Sequence, residues 1–96
     1  MRKIKTTLNK KEYKLYIGIK EFIEKNNYSP SYRELLKLDI YKSISSIYET
    51  IVKFAELGYI KVEIDENGRI KSRTIRLIYT SEIREEIEKI GEMLDE

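Results

Sequence analysis

Residues 28–58, YSPSYRELLKLDIYKSISSIYETIVKFAELG, decide how this chain folds. Pro30, the single proline, pushes Ser29 into an extended conformation. Ser31 is a good helix N-cap, and Glu34 three residues on completes a capping box, so a short helix is expected to about Lys37. It should bury Leu35, Leu36 and Leu38. A turn through Asp39 and Tyr41 follows, and Ser43 caps a longer helix. There Ile44, Ile47, Ile51 and Phe54 form one apolar stripe, while Lys42, Ser45, Ser46, Glu49 and Lys53 fall on the opposite face. That face opens on small polar residues, which allows close approach to another surface. Gly58 ends the helix as a C-cap.

Working outward, the preceding segment reads as a helix from Asn9 to Asn26-Asn27. Asn9 and Glu12 make a second capping box, Leu8 and Tyr13 sit where a hydrophobic staple closes the entry, and Leu15, Tyr16, Ile19, Phe22 and Ile23 keep helical spacing. After Gly58 the period changes from helical to alternating. Ile60, Val62 and Ile64 share one face of a strand, Asn67-Gly68 is a strong hairpin signal, and a returning strand carries Ile75 and Leu77. The basic stretch Arg69–Arg73 alternates irregularly, so a bulge or loose tip is expected there. Ser81 caps a last helix, in which Ile83, Ile87, Ile90 and Leu94 form a narrow seam about two heptads long.

The expected fold class is therefore α+β, a winged helix: a three-helix core containing a helix-turn-helix, a two-stranded β-hairpin wing, and a C-terminal helix. Residues 1–79 are read as the winged-helix domain and residues 80–96 as an appended amphipathic helix. The 96 residues suit one small domain, and 41% hydrophobic residues supply its core.

Charge is distributed unevenly. Residues 80–96 hold seven acids and two bases, a net of −5, which leaves 17 bases and 10 acids, a net of +7, on residues 1–79. A basic body with an acidic end suits a polyanion-binding domain. With no Cys and no His there is no thiol nucleophile, no zinc-finger spacing and none of the commonest general base. No glycine-rich phosphate loop or catalytic pair stands out, so no enzyme activity, metal, cofactor or small-molecule ligand is expected. No apolar run approaches the roughly 20 residues that span a bilayer, and the basic start MRKIKTTLNKKEY lacks a signal-peptide core, so no membrane association and a cytoplasmic location are expected, nucleoid-associated when bound to DNA.

From these elements we expect double-stranded DNA binding, with helix 43–57 in the major groove and the wing, 61–76, on the backbone. Ser45, Ser46 and Glu49 are the base-reading candidates, against the alternative of an ordinary solvated face. Tyr48 lies at the edge of that face, as reader or as core-edge aromatic. Ser31, Tyr32 and Arg33 would position the backbone, the alternative being simple capping. Lys42, Lys53, Arg69, Lys71 and Arg73 would hold phosphates, the alternative being solubility. The Ile83, Ile87, Ile90 and Leu94 seam is either a homodimer interface or a helix folded back on the body. We favour the dimer, because dimers match palindromic half-sites.

At the residues YSPSYREL, SISSIYETIVKFAELGYI and TIRLI, the span Leu8–Ile78 resembles the N-terminal DNA-binding domain of LexA repressors, over about three quarters of the chain. The resemblance implies that the start of the third helix reads bases, which by position means Ser43, Ser45, Ser46, Tyr48 and Glu49. LexA repressors also carry a C-terminal self-cleaving protease domain with a Ser–Lys pair. This chain stops at Glu96, so we expect neither self-cleavage nor that domain's dimerisation. A stand-alone DNA-binding transcriptional regulator, of the repressor kind, is the leading expectation. A winged helix used for protein interaction, as a viral inhibitor or adaptor, and a replication-origin binding protein are the alternatives.

Overall fold

The computed structural model describes residues 8–94. The basic arm at residues 1–7, and Asp95 and Glu96 of the acidic end, lie outside the described residues. The order is α1 (Lys10–Asn26), α2 (Tyr32–Leu36), α3 (Ile44–Glu56), β1 (Ile60–Lys61), β2 (Arg76–Leu77) and α4 (Ser81–Leu94). This is a winged helix followed by one further helix.

The caps follow from local sequence. Asn9 Oδ1 accepts the Glu12 N–H at 2.8 Å while Glu12 Oε1 accepts the Asn9 N–H at 2.9 Å. Ser31 and Glu34 repeat the arrangement at α2. Asn27 closes α1 in the left-handed region, at φ 64°. At the end of α3, Gly58 has φ 82°, its N–H donates to Ala55 O, and the Tyr59 N–H donates back to Phe54 O. That pair of bonds is a Schellman ending, which needs a residue free to adopt positive φ.

Four expectations change in detail. Leu38 is 41% exposed, because Asp39 turns the chain at φ 62° directly after α2. Its tip lies over Gly18 of α1, where an added Cβ would sit 2.6 Å from Leu38 Cδ1. Ile44 is 37% exposed, since the apolar stripe of α3 runs past the edge of the core at its first turn. The strands are shorter than the alternation suggests: after the pairs Ile60↔Leu77 and Lys61↔Arg76 the ladder resumes only as a bridge between Ile64 and Ile70. Between them the Thr74 hydroxyl accepts the Glu63 N–H and donates to Lys71 O, with Arg73 at φ 63°. That is the expected bulge, and it leaves Ile64 exposed beyond the body. The last helix is capped one residue early, by Thr80, whose hydroxyl accepts the Ile83 N–H.

The hairpin tip also uses a different turn. A two-residue Asn-Gly loop needs positive φ at both residues. Here only Gly68 has it, and the turn runs Asp65–Gly68, closed by the Gly68 N–H on Asp65 O. The Asp65 carboxylate accepts the N–H groups of Asn67 and Arg69, and these bonds, that of Arg69 first, hold its pKa below the usual value.

One hydrophobic cluster joins every helix to the base of the wing, through Leu8, Leu15, Tyr16, Ile19, Leu35, Ile47, Ile51, Phe54, Tyr59, Ile60 and others. Ile87 and Ile90 belong to it, with 2% and 3% of their surface exposed, and Ile83 and Leu94 pack against it. Within one copy Ile87 and Ile90 are thus covered by the chain's own body, while Ile83 and Leu94 stay partly exposed at its edge. Gly91 permits this docking, since a Cβ there would meet Tyr13 Oη at 2.5 Å. Among the described residues, no helix is long and apolar enough to cross a membrane, and no group of three or more His, Cys, Asp or Glu side chains is placed to hold a metal ion.

Tyr16 sits at the centre of the core, fully buried and edge-on to Phe54 and Tyr59 at centroid distances of 5.6 and 5.9 Å. Its hydroxyl has no hydrogen-bond partner among the described residues, and burial pushes its pKa from 10.0 up to about 12. An unsatisfied buried hydroxyl costs about 1–3 kcal/mol, so Tyr16→Phe should stabilise the protein by up to that amount. The unfolded tyrosine loses its proton near pH 10 and the folded one near 12. Stability from this group is therefore intact below pH 10 and lost as pH rises through 12, by roughly 3 kcal/mol in all. Thermal melts of both proteins from pH 9 to 12 check this: Tyr16→Phe should lose much of the alkaline slope.

Candidate nucleic-acid interface

The first turn of α3 presents Ser43, Ser45 and Ser46, all exposed, with Lys42 just before it and Glu49 one turn on. Ser43 caps the helix and donates its hydroxyl hydrogen to Ser46 Oγ at 3.1 Å. Among the described residues, Ser45 and Glu49 make no side-chain hydrogen bond or ion pair. Ile44 adds an apolar group to the same exposed turn. Apart from Ile44 the side chains of this turn are small and polar, which suits a groove roughly 12 Å wide.

Tyr48 is half-buried and turned toward the wing. Its hydroxyl accepts the Ile70 N–H at 3.1 Å, and the Arg69 guanidinium lies 4.9 Å from its ring centroid. Tyr32, the first residue of α2, donates its hydroxyl to the Ile70 carbonyl at 2.9 Å, with its ring 5.9 Å from that of Tyr48. Burial, first, and the neighbouring Tyr48 raise the pKa of Tyr32. The two helices of the helix-turn-helix and the basic end of the wing therefore meet at one place.

The other expected backbone contacts divide into free and engaged side chains. Arg33 and Lys42 are exposed, and among the described residues their side chains make no ion pair or hydrogen bond. Lys71 lies 3.8 Å from Glu63, with both side chains more than half exposed, a pairing that holds little energy. Lys53 is tied to Glu12 of α1 at 2.9 Å. Arg73 donates to Ser29 O and to Glu34, each at 3.1 Å, and stacks on Tyr28. Bonds from the Ser31 N–H, first, and from Arg73 hold the Glu34 carboxyl below its ordinary pKa, so it is charged and matched where it stands. Ser31 is occupied by its capping box.

Two further cations stand on the wing. Lys61 and Arg76 are directly opposed across the β-ladder, both exposed and, among the described residues, with no acid paired to either. Like charges in register repel, so they concentrate positive potential on the outer side of the wing. Their positions at mirrored places in the two strands carried the signal, but only the register shows that they meet.

No protein-family model matches the chain. The chain is similar to the LexA repressor of Clostridium kluyveri, in two strains, at 34% identity over 80 residues. The aligned region covers 83% of this chain but only 37% of each relative, so the chain spans little more than a third of the length of the curated relatives it matches. The resemblance thus has its counterpart in similarity over 83% of the chain, and the fold is the winged helix it implies.

Proposed function

We propose that this chain is a sequence-specific double-stranded DNA-binding transcriptional regulator, acting as a repressor by occupying its site against polymerase. The observation that carries the reading is the exposed, small and polar first turn of α3 set beside a basic wing. Similarity to proteins named LexA repressor supports it. In this reading Ser45, Ser46 and Glu49 contact bases, with Ser43 at the helix start and Tyr48 at the edge. Serine can donate or accept on any base, and glutamate can accept from a cytosine amino group. Arg33, Lys42, Arg69 and Lys71 hold phosphates, and Lys61 and Arg76 add to the field of the wing. Ser31, Tyr32, Lys53 and Arg73, each engaged with a neighbour inside the protein, keep the surface in place. The chain acts by binding, without catalysis. Two copies would occupy an inverted repeat, and since Ile87 and Ile90 are taken up by each copy's own core, a contact through α4 would fall to the parts of Ile83 and Leu94 left exposed.

Selection of genomic fragments by the purified protein, then footprinting at physiological salt, tests this. A protected inverted repeat is expected. Affinity should fall with salt at a log–log slope of about −4 for each copy's four phosphate-holding cations. Absence of any fragment enriched above non-specific binding would overturn the proposal.

A further inference from the structure

We infer that Tyr32 and Tyr48 lock the wing onto the helix-turn-helix, so that Arg69 and the reading face of α3 engage DNA at one fixed spacing. The inference rests on the DNA-binding reading and adds a determinant of operator geometry to it. Its basis is the state of one residue, Ile70. Ile70 faces Ile64 across the hairpin, but the bonds that close that part of the ladder belong to its neighbours: the Asp65 N–H donates to Arg69 O and the Lys71 N–H to Glu63 O. The N–H and C=O of Ile70 therefore point outward, along the open edge of the hairpin. Both are taken by tyrosines of the body. Tyr32 of α2 donates to the carbonyl at 2.9 Å, and Tyr48 of α3 accepts the N–H at 3.1 Å.

The lock holds the part of the wing that needs holding. The regular ladder is two residues long, Ile60–Lys61 against Arg76–Leu77, and the tip beyond it carries the exposed Ile64. Arg73, on Glu34 and Ser29 O, ties down the bulge nearer the ladder. At the tip side the two tyrosines are the attachment, together with the buried Ile70 side chain. Arg69 is adjacent in sequence and rests its guanidinium on Tyr48, 4.9 Å from the ring centroid. Tyr48 lies three residues after Ser45 and one before Glu49, so the stacked cation lies beside the base-reading turn, not out at the end of a mobile arm. A cation held this way loses little freedom on binding a phosphate, and its distance from the helix-read bases is set by protein bonds before DNA arrives.

The double variant Tyr32→Phe/Tyr48→Phe keeps both rings and removes both hydroxyls. Two measurements apply. In the free protein, exchange of the Ile70 amide followed by NMR should accelerate by about 100-fold or more, while amides of the α1 and α3 core keep their protection, which shows that the domain still folds. On DNA, operators with one base pair inserted or removed between the α3-protected bases and the wing-protected backbone are compared with the parent site. The unmodified protein should lose wing protection and at least about tenfold in affinity on either altered operator. The double variant should bind the parent more weakly but change less than about threefold on the altered ones. Arg69→Ala, which leaves the lock intact, should lose wing protection on every operator and reduce the salt slope by about 1. Unchanged Ile70 exchange, or equal spacing tolerance in the two proteins, overturns the lock while specific binding stands. Failure to bind any specific site overturns the DNA-binding reading itself, and the spacing role with it.

Discussion

Replacing Ser46 by glutamate is expected to abolish sequence-specific DNA binding while leaving the melting temperature unchanged or raised. The two effects separate because this position has different neighbours in the free and bound states. In the free protein Ser46 is exposed at the third position of α3, and its N–H is already held by the Ser43 hydroxyl. A glutamate there would complete a capping box, as Glu12 does for Asn9 and Glu34 for Ser31. It would also place an acid in the first turn of α3, which has none, for a gain of about 0.3–1 kcal/mol. Against DNA the same carboxylate enters a groove walled by phosphates, is too large for the close approach, and removes a serine contact. A lost base contact costs about 1–3 kcal/mol, so with repulsion added the specific affinity should fall at least about 100-fold. Ser46→Ala, which removes the hydroxyl without the charge, should give a smaller loss confined to one operator position. Melting and fluorescence anisotropy on the footprinted site measure both. Retained specific affinity for Ser46→Glu would move base reading away from α3.

Ile87→Ala and Ile90→Ala should each destabilise the protein by about 2–4 kcal/mol, at every protein concentration. Both side chains are almost fully buried within a single copy, against the cluster that contains Tyr16, Phe54 and Ile60. Truncation leaves a cavity that the short α4 cannot close without shifting against α1, where Gly91 and Tyr13 are already in tight approach. For a domain of this size, each kcal/mol lowers the melting temperature by roughly 4–8 °C, so either change should lower it by at least about 8 °C. A seam shared between two copies would behave differently: its melting temperature would rise with protein concentration, and the substitutions would mainly alter that dependence. Melts over a hundredfold range of concentration, with sedimentation of the same samples, distinguish the two arrangements. A strong concentration dependence abolished by Ile87→Ala would return the seam to the dimer interface.

The sequence by itself determined where the first three helices begin, where α1 and α3 end, and which face of α3 is polar. Caps are legible because they are decided within four residues: Asn9 with Glu12, Ser31 with Glu34, and the φ available to Gly58. The exposure of Ser45, Ser46 and Glu49 follows from helical arithmetic once Ile47, Ile51 and Phe54 are known to be buried. Tertiary structure decided how those parts are spent. An apolar stripe at Ile83–Leu94 states that it will be covered but not by what, and the chain's own body covers its centre, Ile87 and Ile90. A count of basic residues says that the domain is cationic but not which cations are free. Lys53 is committed to Glu12, 41 residues away, and Arg73 to Glu34, 39 away. The Tyr32 and Tyr48 bonds to Ile70 span 38 and 22 residues, and nothing local marks them, because a hydroxyl's partner is chosen by whatever backbone the fold carries past it. The same holds at the hairpin tip, where the Asp65 carboxylate captured two N–H groups and so selected a longer turn than Asn67-Gly68 favours alone.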